Sequence, residues 1–287
     1  MDDRPLTVAV QGELGSNSEL AAREYFDGRP IGILPCRTFA DLFAAVGEGR
    51  GDAGMAPVEN SLAGSIHDVW DLFVERSVPV RGEIQLRVSH CLIAHPGTRL
   101  EDIRRIRSHP QALAQCREFL DALEGVVVES VYDTAGAVKM LKEEGLRQEA
   151  AIASAQAAVD HRMEILIQDL QSRRDNYTRF LVLGQGRDEG GGPLRTTVIL
   201  ELEQNAAALP AMLGALTRRG IEVLKVETRK RVGRPWAYGV YLEVAGDAAN
   251  AGPVAAALAE IATLAGALHL VGTYPSGAIA EPRLHTR

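Results

Sequence analysis

The sequence predicts an α/β protein: a two-lobed domain built on parallel sheets, followed by a smaller module of ferredoxin-like βαββαβ topology. Short apolar runs such as 7–10 and 53–58 alternate with helical patterns over the first two thirds of the chain, which indicates parallel strands joined by helices. A strand leaves the first lobe near Glu83 and the chain later returns, which favours two lobes around a cleft. After a glycine-rich stretch the order becomes strand, helix, strand, strand, helix, strand.

Composition narrows the class of protein. The chain has 287 residues, 46% of them hydrophobic, which is enough for more than one domain with a packed core. A net charge of -7 argues against a nucleic-acid partner. The acidic start resembles no signal peptide, and no apolar run is long enough for a bilayer, so no membrane partner is expected. Cys36, Cys91 and Cys116 are widely spaced without a CxxC pair, which favours buried thiols in a reducing cytoplasm.

The first lobe is predicted over about 1–86 and 168–184, and the second over about 87–167. Capping signatures open several helices, such as Thr38 with Asp41 before the helix to about Glu48. From Glu83 to Ala94 the pattern predicts one long strand that crosses between the lobes. Further strands at 106–108, 126–128, 150–153 and 165–167 alternate with helices that begin near Pro110, Thr134 and Ser154.

The C-terminal third is predicted as a linker, a module and a tail. Residues 185–194 are rich in glycine and charge, as linkers are. The module, 195–275, has strands at 196–203, 221–230, 236–244 and 268–274, with a turn at 232–235 and helices at 210–218 and 251–264. The tail, 276–287, is expected to be frayed.

Candidate chemistry collects where strands end. The segments 16–18, 60–65, 108–111 and 133–134 supply hydroxyls or amides at predicted helix starts, where free N–H groups favour anions. Ordinary helix capping is the usual role of such residues, and a binding role is favoured only because these turns are expected to converge on one cleft. The segment 175–180 adds a hydroxyl and a guanidinium, Thr178 and Arg179, where a loop becomes a strand, the place at which open α/β sheets bind ligands.

Several other chemistries are disfavoured. His90, Cys91 and His95 are close in sequence, but strand neighbours point to opposite faces and their spacing matches no metal cage. His109 fits a helix-start residue better than a base. No GxGxxG, phosphate-binding loop or GxSxG motif is present. The remaining prediction is cofactor-free, metal-free polar catalysis on an anionic small molecule.

Together these motifs resemble prephenate dehydratase with a C-terminal ACT regulatory domain. The resemblance covers nearly the whole chain and follows the family's order, although each motif is weak alone. The segments that carry it are Gly12–Ser18, Pro57–Gly64, Ser108–Cys116, Thr134–Ala135, Asn176–Phe180 and the module after the linker.

The resemblance implies a periplasmic-binding-protein-like catalytic domain that converts prephenate to phenylpyruvate, water and carbon dioxide in phenylalanine biosynthesis, without a metal or organic cofactor. It implies a homodimer or homotetramer, with L-phenylalanine as a candidate effector. It assigns the chemistry to Thr178, Glu59, Asn60, Ser61 and Gln115. It assigns substrate binding to Ser108, Arg179, Phe180, Asn176, Ser16 and Thr134. Arg179 in a structural ion pair is the competing interpretation.

The module departs from the ACT pattern at its expected regulatory residues, Ala208, Leu209, Glu227 and Arg229. The segment Ala207–Leu209 lacks the family's glycine, and Glu227–Lys230 replaces the usual Glu-Ser-Arg-Pro. Control by phenylalanine is therefore expected to be weak, and dimerisation alone remains a second role for the module.

Three other functions stay open on the sequence. Arogenate dehydratase would perform the same elimination on the transaminated substrate. A ligand-binding sensor without turnover is a different class, disfavoured by the intact Thr178-Arg179-Phe180. A decarboxylase that leaves the ring non-aromatic fits less well.

Overall fold

The computed structural model describes residues 4–186, 192–202, 206–230 and 237–285. The chain forms two compact units, each assembled from separate stretches of sequence. The first comprises Met1–Trp70, Ile84–Leu181 and Ile279–Arg287, and the second comprises Asp71–Glu83 and Val182–Ala278. The predicted turn at 232–235, with Trp236 after it, and part of the predicted linker lie outside the described residues.

The described strands and helices alternate along most of the chain. The strands are β1 (Leu6–Gln11), β2 (Ile31–Cys36), β3 (Ala53–Asn60), β4 (Gly64–Ser65), β5 (Val80–Arg87), β6 (Cys91–Ala94), β7 (Arg105–Ser108), β8 (Val127–Ser130), β9 (Glu149–Ala153), β10 (Glu164–Ile167), β11 (Tyr177–Leu183), β12 (Leu194–Leu202), β13 (Val223–Lys230), β14 (Tyr238–Ala245), β15 (Ala267–Pro275) and β16 (Ile279–Ala280). The α-helices are α1 (Asn17–Tyr25), α2 (Phe39–Gly47), α3 (His67–Glu75), α4 (Pro110–Gln115), α5 (Arg117–Asp121), α6 (Thr134–Glu144), α7 (Ala155–His161), α8 (Leu209–Thr217) and α9 (Pro253–Ala262). Short 3-10 helices span Leu100–Asp102 and Ala206–Ala208.

The first sheet runs in the order β16-β5-β11-β3-β1-β2, with β4 paired to β3. β1 pairs in parallel with both β2 and β3, which confirms the predicted parallel α/β class. Val8, Ala9 and Val10 are fully buried, as a central parallel strand covered by helices on both faces requires. The predicted capping box is present, because Thr38 Oγ1 accepts from Asp41 N and Asp41 Oδ2 accepts from Thr38 N.

The second sheet, β10-β6-β9-β7-β8, is mixed and not wholly parallel as the rhythm of the sequence suggested. β7 pairs in parallel with β8 and β9, whereas β6 is antiparallel to β9 and to β10. The predicted single strand from Glu83 to Ala94 was wrong. It is two strands in two sheets, β5 and β6, because the residues between them bond outside both sheets: the N–H of Val88 donates to the carbonyl of Asn176, and the N–H of His90 donates to Gln171 Oε1.

The third sheet, β13-β14-β12-β15, is antiparallel, and its chain order with α8 and α9 is βαββαβ. This is the ferredoxin-like topology that the sequence predicts. Alternate residues of β12 and β14 pack against the two helices in one apolar cluster. That cluster includes Val198, Leu200, Val240, Leu242, Met212, Leu216, Leu258 and Ile261.

The segment after Pro275 is more ordered than the expectation of a frayed tail allows. β16 pairs in parallel with β5, through Ile279 with Gln85 and Ala280 with Leu86. Arg283 donates to Glu24 on α1 at 2.7 Å. Backbone pairing and an ion pair therefore hold this segment in place. Neither interaction can be predicted from the amino-acid composition of the segment.

Two further expectations concern the described residues. The three cysteines are free and buried, as predicted. Across the described ranges, none of the helices combines the length and the apolar character needed to span a bilayer.

Candidate active site

A cleft of about 290 Å³ in the first unit collects side chains from both of that unit's sheets. The starts of α1, α4 and α6 face it, together with the end of β3 and the start of β11. The lining residues are Gln11, Ser16, Asn17, Ser18, Phe39, Pro57, Asn60, Ile66, Val88, His90, His109, Gln111, Ala112, Gln115, Tyr132, Asp133, Thr134, Thr178 and Phe180. The predicted convergence of strand-end loops on one cleft is therefore present.

The loop before α1 is held by close packing against α7. Gly15 has a φ of +87°, and a Cβ at this position would lie 2.7 Å from the Cα of Ala157. Ser154 Oγ donates to the carbonyl of Gly15 at 2.6 Å, while its own helix start is capped by the same hydroxyl. Glycine is needed at position 15 because of its positive φ and because a Cβ would collide with Ala157. The packing of this loop against α7 fixes where Ser16 enters the cleft.

Asn60, at the end of β3, is the centre of the polar network. Its Nδ2 donates to Asn176 Oδ1 at 2.8 Å, to the carbonyl of Tyr177 at 3.1 Å and to Thr178 Oγ1 at 3.1 Å. Its Oδ1 accepts from the N–H groups of Leu62 and Ala63. The side chain is 3% exposed, so these bonds hold both the β3–β4 turn and the Thr178 hydroxyl.

Gln115, at the end of α4, connects the part of the cleft formed next to the second sheet to the same hydrogen-bond network. Its Oε1 accepts from Asn176 Nδ2 at 3.0 Å and contacts His90 Nε2 at 2.7 Å, and its Nε2 lies 3.5 Å from Asn60 Oδ1. Asn176 is fully buried and contacts both amides. The structure therefore joins four of the predicted residues, Asn60, Gln115, Asn176 and Thr178, in one chain of hydrogen bonds.

His90 belongs to this network, and sequence reasoning missed that role because it considered His90 only as a metal ligand. The ring is 3% exposed, and burial lowers its pKa. With Gln115 Oε1 as the acceptor, the neutral ring carries its proton on Nε2. The break between β5 and β6 delivers His90 to the cleft, and no motif in the sequence marks that break.

Glu59 and Arg179 lie on the other face of the same strands. Arg179 Nη2 is 3.0 Å from Glu59 Oε2, with the side chains 8% and 34% exposed. Neither residue lines the cleft, whereas their neighbours Asn60, Thr178 and Phe180 do. The structure therefore shows the ion pair that the sequence analysis gave as the competing interpretation of Arg179. It gives no geometric support for Glu59 as a proton donor or for Arg179 as a clamp for a substrate carboxylate.

Ser61 and Ser108 also use their hydroxyls on the protein itself. Ser61 Oγ donates to the carbonyl of Asp175 at 2.8 Å and accepts from Tyr177 N at 2.9 Å, which staples the β3–β4 turn to the start of β11. Ser108 Oγ is fully buried and donates to the carbonyl of Ile152 at 2.6 Å. Neither is among the residues that line the cleft.

The electrostatics of the cleft come from helix starts and buried titratable groups. Ser16 caps α1, His109 caps α4 through Nδ1, as a helix-start residue should, and Asp133 caps α6 just before Thr134. Burial lowers the pKa of His109 and raises that of Asp133. Burial, assisted by the hydrogen bond to Glu13, also raises the pKa of Tyr132, so both the histidine and the phenol face the cleft uncharged near neutral pH.

The predicted regulatory residues are all in the second unit. Ala208 and Leu209 pack against the apolar cluster of the third sheet. Glu227 pairs with Lys225 at 3.2 Å, and Arg229 Nη1 pairs with Asp71 Oδ2 at 3.0 Å beside a cavity of about 110 Å³. Of the four, only Arg229 is among the described residues that line this cavity.

Among the described residues, no three His, Cys, Asp or Glu side chains come together in a way that could hold a metal ion. In particular His90, Cys91 and His95 have separate surroundings, since His95 Nε2 contacts the carbonyl of Leu141 whereas His90 contacts Gln115.

Comparison with known proteins identifies the family of this α/β chain. The model of the family named Prephenate dehydratase matches residues 8–188. The chain belongs to the prephenate dehydratase family, a family of carbon–oxygen lyases.

Two curated relatives show how the family varies. Arogenate dehydratase 2 of Petunia hybrida is 39% identical over 229 residues, covering 78% of this chain and 57% of the relative. This chain therefore spans little more than half the length of that relative. The bifunctional N-acyl-homoserine lactone acylase/prephenate dehydratase of Komagataeibacter europaeus is 35% identical over 272 residues, covering 94% of this chain and 95% of the relative.

A solved relative shares the fold over most of the chain. The structure of a prephenate dehydratase from Arthrobacter aurescens in complex with L-Phe is 28% identical, with a TM-score of 0.84 over 94% of this chain and 90% of that one.

Proposed function

We propose that this chain is a dehydratase that converts prephenate to phenylpyruvate, water and carbon dioxide. The observation that carries the proposal is the state of Thr178. Its Oγ1 accepts from Asn60 Nδ2 at 3.1 Å, so the hydroxyl hydrogen is free to be donated to a ligand in the cleft. Family membership supplies the substrate class.

The reaction balances without an outside oxidant or reductant. The bond from the ring to its carboxylate breaks, and carbon dioxide leaves while the electron pair enters the ring. The bond from the ring to its hydroxyl then breaks, and the departing oxygen takes a proton to become water. Aromatisation provides the driving force, so the protein has to orient the substrate and stabilise charge on the departing oxygen.

Thr178 is proposed as the donor to that oxygen. An alcohol is a weak acid, so its contribution is a preorganised hydrogen bond. Asn60, Asn176 and Gln115 are proposed as positioning residues, because each is held by at least two hydrogen bonds in the network around Thr178. Phe180 supplies an apolar wall for the ring, while Ser16 and Thr134 present helix starts to the carboxylates.

The domain assignment remains part of the proposal. The catalytic domain would span 1–184, with lobes at about 1–86 with 168–184 and at about 87–167. An ACT regulatory domain would span 195–275 after a linker at 185–194. The βαββαβ order of the third sheet supports an ACT domain, and so does the L-Phe complex of the Arthrobacter aurescens relative. Open edges of this sheet favour association into a homodimer or homotetramer.

Phenylalanine is proposed to bind this module weakly. The side chains of Ala208 and Leu209 pack into the core instead of leaving open backbone, and Arg229 is engaged with Asp71. Calorimetry should give no saturable heat at phenylalanine concentrations near ten micromolar. Tight binding together with strong inhibition would contradict this and show that the changed segments still form an effector site.

The function is tested by incubating the full chain separately with prephenate and with arogenate, and following phenylpyruvate and phenylalanine. Conversion of prephenate supports the proposal. Binding without turnover of either compound would favour the sensor. Arogenate is the second candidate substrate, because arogenate dehydratases are among the relatives and because the charge in the cleft favours it.

A further inference from the structure

The charge of the cleft bears on which of the two candidate substrates it favours, because prephenate and arogenate share two carboxylates and arogenate adds an ammonium group. Of the described side chains that line it, Asp133 is the one carboxylic acid, and none is a lysine or arginine. His90 and His109 are held neutral by burial. Lys139, which is not among the lining residues, is paired with Glu13 at 3.1 Å. A dianion would therefore face a carboxylate, with no lysine or arginine among the described lining residues to offset its charge.

Asp133 is held firmly yet keeps accepting capacity. Its Oδ2 accepts from the N–H groups of Glu13 at 3.2 Å and Gly136 at 3.0 Å. A carboxylate offers about four acceptor positions, so these bonds leave room for a ligand. Gly12 has a φ of +102°, and a Cβ there would lie 3.4 Å from Asp133 Oδ1. The absence of a side chain at Gly12 leaves the space beside Oδ1 open.

The position of Asp133 in the fold fits the far end of the substrate. The ring hydroxyl and the side chain of prephenate or arogenate are attached at opposite ends of the ring. Thr178, on β11 of the first sheet, is proposed to meet the hydroxyl. Asp133 enters the cleft at the start of α6, which follows β8 of the second sheet. A ring held between the two sheets would present its side chain to Asp133.

We propose that Asp133 is a specificity residue that accepts a hydrogen bond from a substrate ammonium group, so that the site converts arogenate as well as prephenate and Asp133 raises the arogenate-to-prephenate ratio of kcat/KM. The inference rests on the proposed dehydratase function and extends it to the substrate side chain. The ammonium of arogenate places a positive charge and a donor beside the carboxylate, whereas the keto group that prephenate has at this position offers neither.

Asp133→Asn isolates the charge, because asparagine is as good an N-cap as aspartate and can keep the bonds to Glu13 and Gly136. The measurement is kcat/KM of the 287-residue chain for arogenate and for prephenate, with its melting temperature recorded in parallel. We expect the arogenate-to-prephenate ratio to fall about tenfold to a hundredfold, the usual value of a hydrogen bond to a charged group. Asp133→Ser is a second neutral cap that should change the ratio in the same direction.

Glu13→Gln is the matched control. It removes the charge of a side chain that pairs with Lys139 and does not line the cleft, while glutamine keeps an oxygen for the Tyr132 hydroxyl, so the ratio should stay within about threefold. A ratio equally unchanged in folded Asp133→Asn and Asp133→Ser would overturn the inference and leave the dehydratase proposal standing. A wild-type chain that converts neither compound would overturn both.

Discussion

Two faces of the same pair of strands carry opposite kinds of chemistry. On the cleft face, Asn60 of β3 and Thr178 of β11 are neutral and joined by a hydrogen bond of 3.1 Å. On the other face, their chain neighbours Glu59 and Arg179 form an ion pair at 3.0 Å. One residue of offset along each strand separates a candidate catalytic network from a structural contact.

The difference shows what each face requires. A hydroxyl that must stabilise a departing oxygen needs a fixed orientation, and the buried amides around Thr178 provide it without adding charge to the cleft. A guanidinium that is 8% exposed needs a counter-charge, which Glu59 provides. Variants on the two faces should therefore separate into those that lose activity and those that lose stability.

The largest effect is expected on the cleft face, for Thr178→Val. Valine is nearly isosteric and keeps β11 packed, but it cannot donate to the departing oxygen. Loss of one preorganised donor typically lowers kcat by about 10²–10³, with a smaller change in KM. The measurement is kcat and KM on the substrate that the wild-type chain converts, beside the melting temperature.

Thr178→Ser is the control for this variant, because it restores the hydroxyl and omits only the methyl group. It should retain more activity than the valine variant. If Thr178 were only a strand cap, the two variants would differ in melting temperature and not in kcat per folded molecule. A folded, fully active Thr178→Val protein would remove Thr178 from the mechanism.

Much of the fold could be predicted from local sequence patterns. The short apolar strands, the capping box at Thr38 and the βαββαβ order of the C-terminal module all depend on residues near one another in sequence. The break that separates β5 from β6 was not readable, because Val88 is held there by the carbonyl of Asn176, a residue distant in sequence. The direction of β6 in the second sheet follows from the same long-range arrangement.

The candidate site was predicted in part for a related reason. A motif shows which residues are adjacent but not which of two faces each one occupies, so Glu59 and Arg179 were grouped with Asn60 and Thr178. Strand alternation could have separated Thr178 from Arg179 once β11 was placed. His90 gave no such signal, since its place beside Gln115 depends on the meeting of the two sheets.

The next effect is expected on the opposite face, for Arg179→Met. Removing one partner of a buried ion pair costs about 3–5 kcal/mol, but Glu59 is 34% exposed, so we expect the free energy of unfolding to fall by about 2 kcal/mol. Denaturant titration measures this loss. Turnover per folded molecule should stay within about threefold. A hundredfold rise in KM with unchanged stability would instead make Arg179 a substrate clamp.

A smaller effect on the cleft face is expected for His90→Leu. Gln115 Oε1 then keeps Asn176 Nδ2 as its donor but loses the His90 contact at 2.7 Å, so the amide is less firmly oriented. We expect kcat to fall about tenfold, equal to one net hydrogen bond. An unchanged kcat in a folded variant would show that the other amides orient Gln115 without His90.

The same variant has a pH signature. Burial lowers the pKa of His90 in the folded state, so the unfolded chain, with a pKa of about 6.5, binds the proton more readily. The stabilisation from the neutral ring is complete above that value and is lost as the pH falls towards the folded pKa. Wild-type stability should therefore drop more than that of His90→Leu between about pH 7 and 5. Equal drops would show that His90 does not titrate on unfolding.

The smallest effect is expected for Glu59→Gln. The amide keeps an oxygen for Arg179 to bond, so the change removes a charge from a partly exposed side chain and leaves a hydrogen bond in place. We expect a loss of about 1 kcal/mol or less in the free energy of unfolding and no change in kcat across the pH range. The pH–rate profile is the sharper measurement, because a proton donor would remove one limb of the profile when replaced by glutamine. Loss of that limb would show that Glu59 acts as a proton donor. An unchanged profile with slightly lower stability would show that its role is structural.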